Sequence, residues 1–112
     1  MRVKINSSPF GSAARTGVLL SLRLVTESYA RELARLLGTN LSAVQKALRS
    51  LERDGLVAGR LVGRTRLYQL SPRAFARREL ERYLDRLLEP EAELRANAAT
   101  LRRRPRLSGK PL

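Results

Sequence analysis

At 112 residues the chain can bury one modest core and hardly a second. Apolar residues make up 43% of it but aromatic residues only 4%, so the core must come from Leu, Val and Ala. The lack of Cys and His removes disulfides, the usual metal ligands and the commonest general base. The 23 Lys and Arg against 10 Asp and Glu give a formal charge of +13 and a pI near 11.6, the balance of a domain that binds nucleic acid. No apolar run approaches a membrane span and nothing resembles a signal peptide, so a soluble, cytoplasmic protein without a membrane partner is expected.

Residues 1–9 read as a flexible start. Ser12 then caps a helix predicted to run to about Val25, with Val18, Leu19 and Leu22 as its core stripe. Gly17 sits inside that helix, where glycine costs about 1 kcal/mol relative to alanine, and close packing against a neighbouring helix would account for it. From Ser28, the spacing of Leu33, Ala34 and Leu37 predicts a short amphipathic helix ended by Gly38. Asn40 is a good N-cap for a second, whose buried stripe is Val44, Ala47, Leu48 and Leu51. Ser42, Gln45, Lys46 and Arg49 then face outward, with no carboxylate before Glu52. Amide and guanidinium groups on an exposed helix face are the chemistry that meets base edges and phosphates in a DNA major groove.

Residues 56–70, LVAGRLVGRTRLYQL, read as a β-hairpin turning at Gly63 and Arg64. Glycine at the first central position suits a type II′ turn. Arg60, Arg64 and Arg66 are expected to cluster at its tip, where charges that merely keep a hairpin soluble are the plainer alternative. Ser71 and Pro72 look like the N-cap and first position of a further helix carrying Phe75, Leu80, Tyr83, Leu84, Leu87 and Leu88. That is too much apolar surface for a lone exposed helix. It either folds back on its own domain or packs against a second copy, and the homodimer is favoured because operator half-sites need two reading helices. Pro90 interrupts the pattern, and Leu94, Ala98 and Leu101 continue a weaker stripe. Residues 102–112 are basic and Pro-interrupted, and read as a disordered tail. Positive charge is concentrated centrally, with nine basic residues against two acids over 39–78 but three against six over 79–101. An arginine-rich composition alone would not place it so.

Ala34, Gly38 and Val44 have the small, glycine and apolar spacing of a helix-turn-helix. From Leu37 to Val57 the string LGTNLSAVQKALRSLERDGLV, with the basic hairpin and LYQLSP that follow, resembles the winged helix-turn-helix regulators of prokaryotes, especially the arsenic-repressor-like group. The resemblance covers roughly residues 10–72. It implies a mainly α fold with a small β-hairpin wing and a first helix that braces the other two, while the apolar stripe beyond it is expected to form a C-terminal dimerisation segment over 73–101. Ser42, Gln45 and Lys46 match its base-reading positions, and the hairpin arginines match its wing, which lies on the DNA backbone or in the minor groove. Thr39, Asn40, Leu41, Ser42, Gln45, Lys46, Arg49, Arg60, Arg64 and Arg66 are therefore the expected DNA contacts. Arg15 is either a further backbone contact or a plain surface residue. Without Cys and His no metal or cofactor is expected, so a zinc or arsenic sensor is not. No carboxylate pair or glycine-rich phosphate loop points to an enzyme. The expected function is a homodimeric, sequence-specific binder of double-stranded DNA that represses transcription. The alternative is an adaptor or antitoxin-like module, binding protein or RNA, on the same scaffold.

Overall fold

The computed structural model describes residues 1–103, which form α1 (Ala13–Val25), β1 (Glu27–Tyr29), α2 (Ala30–Leu37), α3 (Leu41–Arg53), β2 (Val57–Val62), β3 (Thr65–Leu70), α4 (Arg77–Leu88) and α5 (Ala92–Arg103). The three strands form one antiparallel sheet in the order β1-β3-β2. The fold is mainly helical with a small β part, in a winged-helix layout.

α1 is the central element, since α2, α3, α4 and α5 all pack against it. Its burial is accordingly wider than the predicted stripe and takes in Thr16, Leu20, Ser21 and Val25 besides Val18, Leu19 and Leu22. Ser12 caps it as expected, its hydroxyl accepting from the Arg15 N–H at 3.1 Å. Gly17 packs against the end of α2. A Cβ there would stand 2.8 Å from Cδ2 of the buried Leu37.

The predicted pair of helices is present, but the first begins at Ala30 because residues 27–29 form a strand. Nothing in three residues of sequence marks β1; its pairing with β3, Ser28 opposite Tyr68, defines it. Gly38 ends α2 in the left-handed conformation, and a Cβ on it would lie 2.5 Å from the Cβ of Arg2. The Asn40 carboxamide oxygen caps α3 by accepting from the Ala43 N–H at 2.8 Å. Val44, Ala47, Leu48 and Leu51 are all buried. In the hairpin, Val62 pairs with Thr65, leaving Gly63 and Arg64 as the turn. Only the glycine of these two has positive φ, the sign pattern of type II′.

The C-terminal segment differs from the dimerisation arm that was expected. Leu84 is 0% exposed and Leu88 6%, both within the chain's own core, while Leu80 and Leu87 are half-buried against that core. Leu84 and Leu88 therefore serve the fold of one copy, and Leu80 and Leu87 give part of their surface to the same core. Phe75 and Tyr83 alone of the six stay outside, 96% and 47% exposed. α4 also starts five residues later than Ser71-Pro72 suggested. The Ser71 hydroxyl accepts from the Arg73 N–H and its carbonyl from the Ala74 N–H, so the segment closes into a turn before the helix begins. Arg23 of α1 ties down α4 through Asp85 at 2.8 Å and Glu81 at 3.7 Å. Beyond Pro90, α5 buries Leu94 and Ala98, and the Asn97 amide donates to the Leu36 carbonyl at 3.0 Å.

The start of the chain is bound down as well, contrary to the flexible segment expected over 1–9. The N–H groups of Arg2 and Val3 donate to the Gly38 and Leu37 carbonyls at the end of α2, Val3 is buried, and the Asn6 N–H donates to the Glu91 carboxylate at 2.8 Å. Of the tail expected over 102–112, Arg102 and Arg103 belong to α5, and residues 104–112 lie outside the described residues. Among the described residues no helix is long and apolar enough to cross a membrane.

Candidate nucleic-acid interface

The buried stripe of α3 fixes what the helix shows to solvent. With Val44, Ala47, Leu48 and Leu51 turned inward, Ser42, Gln45, Lys46, Arg49 and Arg53 are exposed. Gln45, Lys46 and Arg49 make no side-chain hydrogen bond or ion pair among the described residues, so their donors are available to a ligand. Ser42 is different. Its hydroxyl donates to the Asn40 carboxamide oxygen at 2.9 Å, which makes it part of the cap and leaves the Asn40 amide group as the outward donor. Thr39 and Leu41 are half-buried, Thr39 holding the turn by donating its N–H to the Ala34 carbonyl.

In the hairpin the three arginines separate by strand alternation, where a single cluster at the tip was expected. Leu61 stands opposite Arg66, so these two share a face, and Arg60 projects from the other. Arg66 reaches back to Glu52 on α3 at 2.8 Å, with its guanidinium 5.9 Å from the centre of the Tyr68 ring. Gly59 makes room for this arrangement, since a Cβ there would lie 2.7 Å from the Arg66 Nε and 3.0 Å from the Tyr68 ring. The hydrogen bond to Glu52 holds the Arg66 pKa above its usual value, and burial pushes the Tyr68 hydroxyl up, with Glu52 adding to the effect. Arg60 pairs with Glu27 of β1 at 3.3 Å. Only Arg64, at the turn itself, is left without a partner among the described residues. Beside it Leu61 is 69% exposed and Val62 is also exposed, an apolar tip the hydrophobic pattern could not distinguish from ordinary strand residues.

Arg15 is neither a free backbone contact nor an idle surface residue. Its guanidinium donates to the Phe10 carbonyl and to Asp54 at 2.7 Å each, and to the Ser50 hydroxyl, fastening the start of α1 to the end of α3.

Between the helices and the hairpin runs an open groove of about 570 Å³, with Arg31, Leu41 and Gln45 on the helical wall, Tyr29 at the end of β1, and Arg64 and Tyr68 on the hairpin wall. Tyr29 and Arg31 were not foreseen. The available signal was Arg31 itself, a cation in the first turn of a helix, where the dipole favours an anion. Among the described residues no cluster of His, Cys, Asp or Glu could hold a metal ion.

The class defined so far is a winged-helix-like protein with a basic, largely unpaired helix face beside a hairpin. Compared with protein-family models, curated proteins and solved structures, the chain matches none.

Proposed function

We propose that the protein binds double-stranded DNA with sequence preference and regulates transcription as a repressor, with α3 in the major groove and the β2–β3 hairpin on the backbone or in the minor groove. The carrying observation is the state of the charges. Two carboxylates are engaged by hairpin arginines, Glu52 by Arg66 and Glu27 by Arg60, while Gln45, Lys46, Arg49 and Arg64 keep their donors free among the described residues. Such a surface offers base-edge donors on the helix and positive charge beside it. No catalytic step belongs to this function, and its place of action is the cytoplasm. Two copies on a palindromic site belong to the proposal too, and the outer side of the C-terminal segment, with Phe75 and Tyr83, is the apolar surface open to that contact.

A second possibility has one observation in its favour. The exposed Leu61 and Val62 at the hairpin tip would suit a protein partner better than a phosphate. Selecting bound duplexes from a random pool with the purified chain tests both. An enriched motif supports the regulator, and a palindromic motif supports two copies. A protein that enriches nothing and binds no random duplex at low salt is not a DNA-binding regulator.

A further inference from the structure

We infer that the groove between α2, α3 and the hairpin holds one sugar–phosphate strand of the duplex, and that Arg31 is a phosphate contact acting with Arg64 on that same strand. The inference rests on the duplex-binding proposal and adds to it both an occupant for the groove and a contact from a third element.

Several independent features agree. The groove is partly open to solvent and not an enclosed cavity, so a strand lying on the surface can enter it. Its helical wall presents Arg31 and its hairpin wall Arg64, both exposed and neither hydrogen-bonded nor ion-paired among the described residues. Two unpaired cations on facing walls repel one another and share a preference for an anion between them. Leu41 and Val62 supply apolar surface that suits deoxyribose, and Gln45 lies beside them on the face where base edges would be met. The groove's carboxylate, Glu32, accepts the Ser28 hydroxyl at 2.8 Å. Arg31 also occupies the second position of α2, where a positive side chain opposes the helix dipole. A contact with phosphate supplies a reason for placing arginine where stability alone favours an acid.

The test uses the full chain and the duplex it enriches from a random pool, made with single neutral methylphosphonate linkages at successive positions on either strand. Arg31→Ala should retain the folded stability of the wild type and reduce the slope of log affinity against log salt by about 0.9, the value for one phosphate contact, with Arg31→Lys restoring most of it. One linkage on one strand should weaken the wild type and leave Arg31→Ala unaffected, and the linkage sensed by Arg64→Ala should lie on the same strand. Duplex binding by the wild type with an unchanged slope and linkage scan in Arg31→Ala overturns the inference and leaves the duplex-binding proposal standing. The same holds if Arg31 and Arg64 sense opposite strands, whereas tighter binding of the single strand than of the duplex overturns the duplex-binding proposal as well. A wild-type chain that binds no duplex overturns both together.

Discussion

Arginine is this chain's most frequent charged residue, and its copies do unlike things because their neighbours differ. Arg15 is a fastener, and Arg15→Ala removes hydrogen bonds to Phe10, Ser50 and Asp54 at once. Discounting for the half-exposed Asp54, we expect a loss of about 1 to 2 kcal/mol in urea unfolding. Affinity for DNA per folded molecule should not change, and a large drop would return Arg15 to the interface. Arg64 is the opposite case, a cation with no partner to lose among the described residues. Arg64→Ala should weaken binding about equally on specific and random duplexes. Gln45→Ala or Lys46→Ala should instead cost about 1 to 3 kcal/mol on the preferred sequence and relax the choice of base. Competition titrations with both kinds of duplex separate these outcomes, and parallel losses for all three would refute the division between reading helix and wing.

At the scale of elements, the helices are held to one another by close approach and by ion pairs. Gly17→Ala poses two opposed effects. Alanine gains about 1 kcal/mol of helix propensity, but its Cβ would stand 2.8 Å from Cδ2 of a buried Leu37, and overpacking costs about 1 to 3 kcal/mol. Packing should win by up to about 2 kcal/mol, and a more stable Gly17→Ala protein would mean that α1 and α2 can separate without loss. The pair between Arg23 and Asp85 joins α1 to α4, and its hydrogen bond holds the Asp85 carboxyl below the usual carboxylate range and raises the Arg23 guanidinium. A carboxylate with a lowered folded pKa stabilises above its unfolded pKa, near 3.9, and loses that effect as pH falls through the lower folded value. Asp85→Asn should therefore cost about 0.5 kcal/mol at neutral pH, the modest figure suited to a half-exposed pair. The difference from wild type should narrow in unfolding curves as pH falls below about 4 and close once the lower folded value is passed.

For the whole molecule, the placing of α4 and α5 on α1 changes what the C-terminal leucines are for. Leu84→Glu with Leu87→Glu forces a carboxylate into the space of a fully buried leucine, so the product should be unfolded or molten by circular dichroism and not a folded monomer. Leu84→Ala alone should cost about 2 to 5 kcal/mol. Phe75→Ser, at a side chain almost wholly in water, should leave the stability of one copy unchanged. If two copies meet through this side, light scattering at micromolar concentration should show Phe75→Ser shifted toward the monomer. A folded, soluble Leu84→Glu, Leu87→Glu protein would contradict the packing of α4 on the core.

How much was legible in advance follows from the range over which each signal acts. Helix periodicity, the Ser12 and Asn40 caps, the end at Gly38 and the Gly63 turn are settled within a few residues of chain, and the sequence by itself determined α1, the α2–α3 pair and the hairpin. It also determined that α3 would carry an uncompensated polar face, because burying Val44, Ala47, Leu48 and Leu51 leaves Gln45, Lys46 and Arg49 nowhere else to point. Tertiary structure alone decided the rest. β1 exists only through its pairing with β3, and Arg31 enters the groove only because the hairpin closes its other wall. Whether an arginine is free depends on a carboxylate far away in sequence, such as Glu52 for Arg66, Glu27 for Arg60 or Asp54 for Arg15. The apolar stripe of α4 could name the residues that must leave water but not the surface that receives them, since hydrophobic burial has no direction and is satisfied equally by a chain's own core or by a second copy.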